Sequence, residues 1–153
     1  MSMMRMKQKM RGIALVEVTI VLPFLFLLMF ACIEVGRLLY SYNTLTKLTR
    51  DSARFLSDRA FEGSLQIIDL NPEKIIEVNN FVVYGNMQGS GSPRLENLAP
   101  SQITVSSDGP YVIVEVNYPF TTIFGNTLST LSYGNDIDIG MNLHTQVSMR
   151  AIN

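Results

Sequence analysis

KMRGIALVEVTIVLPFLFLLMFACI, residues Lys9–Ile33, is the stretch that decides how the rest of the chain is read. A basic tail and a glycine lead into one apolar run that contains a single carboxylate, Glu17. As a helix, Ile13–Ile33 is about 31 Å long at 1.5 Å per residue, close to the ~30 Å hydrocarbon thickness of a bilayer. It therefore reads as a membrane-spanning helix. Pro23 lies inside it, removes one backbone donor and crowds the Thr19 carbonyl, so a kink is expected there. A cleavable secretory signal would have a shorter apolar core and a small-x-small site after it. No such site follows, and Phe30-Ala31-Cys32 fits a lipoprotein box poorly because Phe30 is bulky.

The charge of the chain is distributed unevenly. Its 153 residues have a net charge of −1, yet Met1–Gly12 holds Arg5, Lys7, Lys9 and Arg11 and no acid. From Ala60 onward the only basic residues are Lys74, Arg94 and Arg150, outnumbered by acids. A basic face for nucleic acid is absent from that part, so no nucleic-acid partner is expected. Juxtamembrane Lys and Arg stay on the cytoplasmic side, which predicts residues 1–12 as a cytoplasmic leader and the bulk of the chain outside. The only cysteine, Cys32, falls in the apolar run. The part beyond the membrane can have no internal disulfide and must be stabilised by packing.

Past Ile33 the helix is expected to continue over residues 34–60. Leu38, Tyr42, Leu45, Leu48 and Phe55/Leu56 recur at three- and four-residue spacing, with Arg37, Lys47, Arg50, Asp51, Arg54 and Asp58 mostly between them. Residues 61–153 read as an exported α+β domain. Phe61–Leu70 is a connector, and Asn71-Pro72-Glu73 is a helix start with Asn as N-cap. Ile75, Ile76, Val78, Val82 and Val83 form the apolar side of that helix, and Gly85 ends it. Gln88–Pro93 is a flexible loop; its Gly-Ser-Gly lacks the strand-glycine-helix setting of a phosphate loop.

The remainder is β-rich. Ile103–Ser106 and Tyr111–Asn117 read as a hairpin with Asp108-Gly109 in the turn, ended by Pro119 and followed by an irregular Phe120–Gly125. In the last stretch Ile137, Ile139, Met141, Leu143, Thr145, Val147 and Met149 alternate with mostly polar residues, predicting one long strand buried on one side. The expected fold class is α+β: a long N-terminal transmembrane and amphipathic helix, then a small antiparallel sheet of three or four strands with a short helix.

Catalytic chemistry has little to work with. The single histidine, His144, falls on the predicted solvent face, and Cys32 and His144 are too far apart in role to form a pair. Asp136 and Asp138 read as punctuation at a strand start. No enzyme activity, metal or cofactor is expected. Glu17 is the unusual residue, because a carboxylate in hydrocarbon costs about 2.5–3.5 kcal/mol on insertion scales and so needs a partner. No Lys, Arg or His lies within the run. A cut after Gly12 would supply one, since Ile13 would then carry a positive α-amino group four residues from Glu17. The plainer alternative is that Glu17 snorkels toward the cytoplasmic headgroups.

Arg11-Gly12 followed by Ile13-Ala-Leu-Val-Glu17 resembles a type IV prepilin processing site, with Gly12 and Ile13 flanking the cut. Leu22-Pro23, Glu34-x-Gly36-Arg37 and Ala53-Arg54-Phe55 after Arg50 extend the likeness over Arg11 to about Ser57. That pattern is similar to the TadE-like family, which with the related TadF proteins comprises minor pseudopilins of bacterial tight-adherence (Flp-type) pilus assembly. Ser52 departs from it where a small apolar residue is expected. YVIVEVNYPF, Tyr111–Phe120, is similar to the family's C-terminal half, with less specific motifs. The resemblance implies a pseudopilin-like fold and a single-pass protein of the bacterial inner membrane, cut by a prepilin peptidase. Its implied partners are other pilins or pseudopilins and the pilus assembly platform. A rival reading, an uncut signal-anchored periplasmic domain that binds a ligand or envelope partner, makes Gly12 dispensable.

Overall fold

The computed structural model describes residues 2–59, 70–123, 125–128 and 134–151, with the side chains of the first helix from Ile13 onward. The first element, α1, is Ser2–Arg59 and holds Pro23 within it. The expected connector Phe61–Leu70 lies outside the described residues except for Leu70 itself. Two compact units divide the chain, Met1–Arg37 and Leu38–Asn153.

In the first unit the side chains of Ile13–Ile33 are exposed throughout. The Thr19 hydroxyl donates to the Leu15 carbonyl at 2.8 Å, so this polar group is satisfied inside its own helix. The unit closes with the pair Arg37–Glu34 at 3.3 Å, one turn apart.

The second unit begins with the remainder of α1. Leu45, Thr49, Ser52, Ala53 and Leu56 have less than 2% exposure and form its inward face. Four buried positions of α1 therefore differ from the expected apolar stripe: Ser41, Thr49, Ser52 and, one step aside, Ser57 are hydroxylic. Tyr42, expected inside, is exposed, and Leu48 is half-buried. The helix itself makes this tolerable. Thr49 Oγ1 donates to the Leu45 carbonyl at 2.8 Å, Ser52 to Thr49 at 2.9 Å and Ser57 to Arg54 at 2.8 Å. A hydroxyl satisfied in this way is buried without an orphaned donor.

The second helix, α2, is Pro72–Tyr84, and its ends match their sequence signals. Asn71 is extended (φ −60°, ψ 141°) and its Oδ1 accepts the Glu73 N–H at 2.8 Å. Gly85 takes the left-handed conformation at φ 74° and its N–H donates to the Phe81 carbonyl at 2.8 Å. Val78, Val82 and Val83 are buried, while Ile76 points to solvent. Phe81 stacks on Phe55 of α1 with centroids 6.0 Å apart, and the Arg59 guanidinium lies 4.4 Å from the Phe55 ring centre.

The loop after α2, expected to be flexible, is tied down. Asn86 Nδ2 donates to the Ser90 carbonyl at 2.7 Å while its Oδ1 accepts the Ser90 N–H at 3.1 Å. Asn80 Nδ2 donates to the Met87 carbonyl at 3.0 Å. Arg94 returns to α2, its backbone N–H on the Val83 carbonyl at 2.7 Å and its Nε on the Tyr84 carbonyl at 3.1 Å. A cation thus sits at the negative end of the helix dipole. Beyond it Leu95 and Leu98 enter the core, and the Tyr118 hydroxyl donates to the Glu96 carbonyl at 2.7 Å.

The main sheet has three antiparallel strands, β1 (Ile103–Asp108), β2 (Tyr111–Phe120) and β5 (Met141–Arg150), in the order β1-β2-β5. Asp108 pairs with Tyr111, so the turn residues are Gly109 and Pro110, one step later than expected. Gly109 at φ 54° followed by a proline fits the sign pattern of a type II′ turn. Val112, Val114, Val116, Tyr118 and Phe120 form an unbroken buried row. Pro119 does not end this strand, contrary to the expectation from sequence. β1 reaches β2 only from Tyr111 to Val116, so at Pro119 the strand has β5 on one side alone, opposite Asn142. A missing N–H is tolerated where a strand is locally an edge.

The long terminal strand also requires correction. It is interrupted at Ile139-Gly140, and Ile137–Asp138 forms β4, paired with β3 (Thr127–Leu128) in a separate two-stranded sheet. Leu143, Thr145, Val147 and Met149 keep the predicted inward face, whereas Ile137 and Met141 are exposed. Thr145, 6% exposed, meets Thr49 of α1 with the two Oγ1 atoms 2.9 Å apart.

Candidate functional site in the N-terminal helix

The groups singled out from the sequence all lie on α1. Gly12 and Ile13 are helical, as are the residues on both sides of them. Ile13 is 69% exposed, and Glu17 four residues on is exposed as well. Side chains on a helix lean toward its N-terminus, so residues four apart stack on one face and the Glu17 carboxylate is directed to the turn that contains Ile13. Its surroundings are apolar and equally open: Leu15, Val16, Val18 and Ile20 each have more than half their surface accessible. Beyond Pro23 the run continues through Phe24, Leu25, Leu27 and Leu28 to the free thiol of Cys32.

An apolar helical surface this extensive is not stable in water. At about 25 cal/mol per Å² it demands lipid or the apolar faces of other helices. Among the described residues, α1 is the helix long and apolar enough to cross a membrane. It lies near the N-terminus. What the run can do chemically is associate: it offers close-packing surface and one carboxylate, with no second reactive group beside it.

Residues 12–54 match the family model described as TadE-like protein. The N-terminal segment is TadE-like. The TadE-like stretch takes in Gly12, Ile13, Glu17 and Pro23, the Glu34-x-Gly36-Arg37 motif, Arg50 and the Ala53-Arg54 pair. It ends before α2 and the sheet, so both lie beyond the matched residues. No curated protein and no solved structure matches the chain. A TadE-like segment on a single apolar helix marks a membrane-anchored component related to the Tad pilus.

The structure also puts residues together that the TadE-like pattern leaves aside. Ser52, a departure from the expected small apolar residue, is fully buried on the inward face of α1. The Thr49–Thr145 contact joins positions 96 residues apart, and no periodicity in either segment marks it. His144 is exposed, with Nδ1 3.6 Å from the Glu115 carboxylate across the solvent face of the sheet. Asp138 accepts the Gly140 N–H at 2.8 Å, a local turn contact. Among the described residues no group of three or more His, Cys, Asp or Glu could hold a metal ion.

Proposed function

We propose that the chain is a minor pseudopilin of a bacterial tight-adherence pilus system, cut by a prepilin peptidase between Gly12 and Ile13 and acting through helix–helix assembly. The observation that carries this reading is the placement of Glu17. It stands fifth from Ile13, inside the TadE-like match, in an exposed apolar run, Ile13–Ile33, that contains no Lys, Arg or His.

Cleavage resolves the electrostatic problem that Glu17 poses. The new α-amino group at Ile13 is a cation at the head of the helix, where the Glu17 carboxylate also interacts favourably with the helix dipole. Between two packed copies, the amine of one and the carboxylate of the other neutralise each other only in one register. An unpaired carboxylate in lipid is penalised, so register is selected by the cost of the alternatives. Pro23 bends the span and shapes the face that neighbouring helices meet. In this arrangement residues 1–12 stay in the cytoplasm, the span crosses the inner membrane and the α+β domain is periplasmic.

The mass of the mature N-terminus tests the proposal. A chain beginning at Ile13 is expected; one beginning at Met1 or Cys32 overturns the processing step. Gly12→Asp blocks cleavage and abolishes piliation, whereas an uncut anchored binding domain would tolerate it. Glu17→Gln is expected to be cut normally and to lose piliation, and normal piliation in that variant removes the pairing role.

A further inference from the structure

α1 does not turn polar where its apolar run ends. Past Glu34, the side chains of Val35, Leu39, Tyr40 and Tyr42 are all exposed. The inward face of the second unit leaves its own three aside: Leu38 packs on the core, and Ser41 and Leu45 are buried. Tyr40 borders a groove with Lys47 and Arg94, yet 67% of its surface stays open. Val35, Leu39 and Tyr42, four and three residues apart, share one side of the helix. The charged residues between Ile33 and Tyr42 are Glu34 and Arg37, which pair at 3.3 Å, so the stretch carries no net charge. An apolar helical surface that ends in two tyrosines suits the passage from hydrocarbon into headgroups, where the ring is buried and its hydroxyl stays wet.

Two windows of α1 match a bilayer equally well by length. Ile13–Ile33 and Val18–Leu38 each make a helix about 31 Å long. The exchange of apolar residues between them is close to even. Moving to the second window gives up Ile13, Leu15 and Val16, gains Val35 and Leu38, and brings Leu39, Tyr40 and Tyr42 to the boundary. The charges are not even. Each window holds a carboxylate four residues inside one end, Glu17 from Ile13 and Glu34 from Leu38. Glu34 has Arg37 beside it, whereas the first window contains no Lys, Arg or His. An ion pair close enough to the surface to reach the headgroups is penalised less than a lone carboxylate at the same depth.

We propose that, before it packs with any neighbour, the chain rests in the second window. Val18–Leu38 crosses the hydrocarbon, Glu17 lies among the cytoplasmic headgroups, and Leu39, Tyr40 and Tyr42 contact the phospholipid headgroups of the opposite leaflet. Lipid is the occupant of this surface because the surface continues the span along one helix without a charged break. A shift of five residues, about 7.5 Å of helix, restores the first window and draws Glu17 into hydrocarbon. A neighbour's amine is then what offsets it. The inference rests on the membrane-anchored reading and not on cleavage.

The chain has no tryptophan, so Tyr40→Trp places a single fluorescent reporter at the boundary. The full chain is reconstituted in vesicles of phosphatidylethanolamine and phosphatidylglycerol that include a lipid brominated either near the top or near the end of its acyl chains. The reporter is expected to be quenched more by the shallow bromines than by the deep ones, and only weakly by acrylamide in the water. Adding Glu17→Gln removes the charge that holds this register, and shallow quenching falls by roughly half or more. Tyr42→Trp in the otherwise unchanged chain gives an independent reading with the same expectation. A reporter open to acrylamide and blind to bromolipid overturns the proposal. So does one quenched most by the deep bromines, one shielded from both by protein, or one indifferent to Glu17→Gln. If the mature N-terminus is Ile13 while the reporter lies in water, the lipid contact fails and the pseudopilin reading survives. If the N-terminus is still Met1 while the reporter is at headgroup depth, the processing step fails and the lipid contact stands.

Discussion

Replacing Thr49 by valine should cost more than replacing Thr145, although the two side chains make one hydrogen bond together. The reason lies in where each proton goes. Thr49 Oγ1 is 2.8 Å from the Leu45 carbonyl and 2.9 Å from Thr145 Oγ1. A hydroxyl has one proton, so with Thr49 donating to Leu45, Thr145 is the donor to Thr49. Thr145→Val removes that donor and leaves Thr49 bonded within its helix, a loss of about 0.5–1.5 kcal/mol partly offset by the buried methyl. Thr49→Val leaves the Thr145 hydroxyl without its acceptor at a 6% exposed site, a cost of about 1–3 kcal/mol. With both replaced, two apolar groups of the same shape meet, and much of the loss returns. Valine and threonine have similar helix propensities, so the backbone contributes little. Denaturant unfolding of the full chain in detergent, followed by far-ultraviolet circular dichroism, measures all four corners of the cycle. A Thr49→Val effect no larger than that of Thr145→Val, or a strictly additive double variant, would show this proton assignment to be wrong.

Leu56→Ala, at a 1% exposed position, should destabilise by about 2–5 kcal/mol, while Ile76→Ala at 58% exposure stays within about 0.5 kcal/mol; the same unfolding experiment compares them. Gly85→Ala should cost more than about 1 kcal/mol, since at φ 74° the added Cβ would lie 2.6 Å from Arg94 Nε, whereas Gly36→Ala meets nothing within 4 Å and should be neutral or stabilising. Asn71→Ala should lower stability by about 0.5–2 kcal/mol and Asn71→Gly by only a few tenths, read as fraying of α2 in amide hydrogen exchange.

Where sequence pattern and structure part company, the cause is physical. Three-and-four spacing assigns Tyr42 inward, but Ser41, one residue earlier, is the buried neighbour. An apolarity criterion cannot see a face built from serine and threonine, since those side chains are satisfied by their own helix rather than by hydrophobicity. Pro119 has the local character of a terminator, but its effect depends on whether β1 extends that far, which is a property of the partner strand. The alternation from Ile137 to Met149 has the period of one strand, yet Gly140 permits a break, and β4 pairs with β3 instead.

Features governed by a local rule are legible along the chain. Length and hydropathy set the span, Asn71-Pro72 and Gly85 set the ends of α2, and alternating valines set the inward face of β2. Gly12 and Glu17 both fall inside the TadE-like match, and their relation is legible because it is one of spacing along one helix. Tertiary structure alone decides which hydroxyls of α1 are buried, that Thr49 meets Thr145, and that Arg94 closes the end of α2. It also decides that Tyr40, Lys47 and Arg94 border one groove. These relations join residues far apart in the chain, and their energies come from packing and desolvation in the folded unit, which a one-dimensional pattern does not encode.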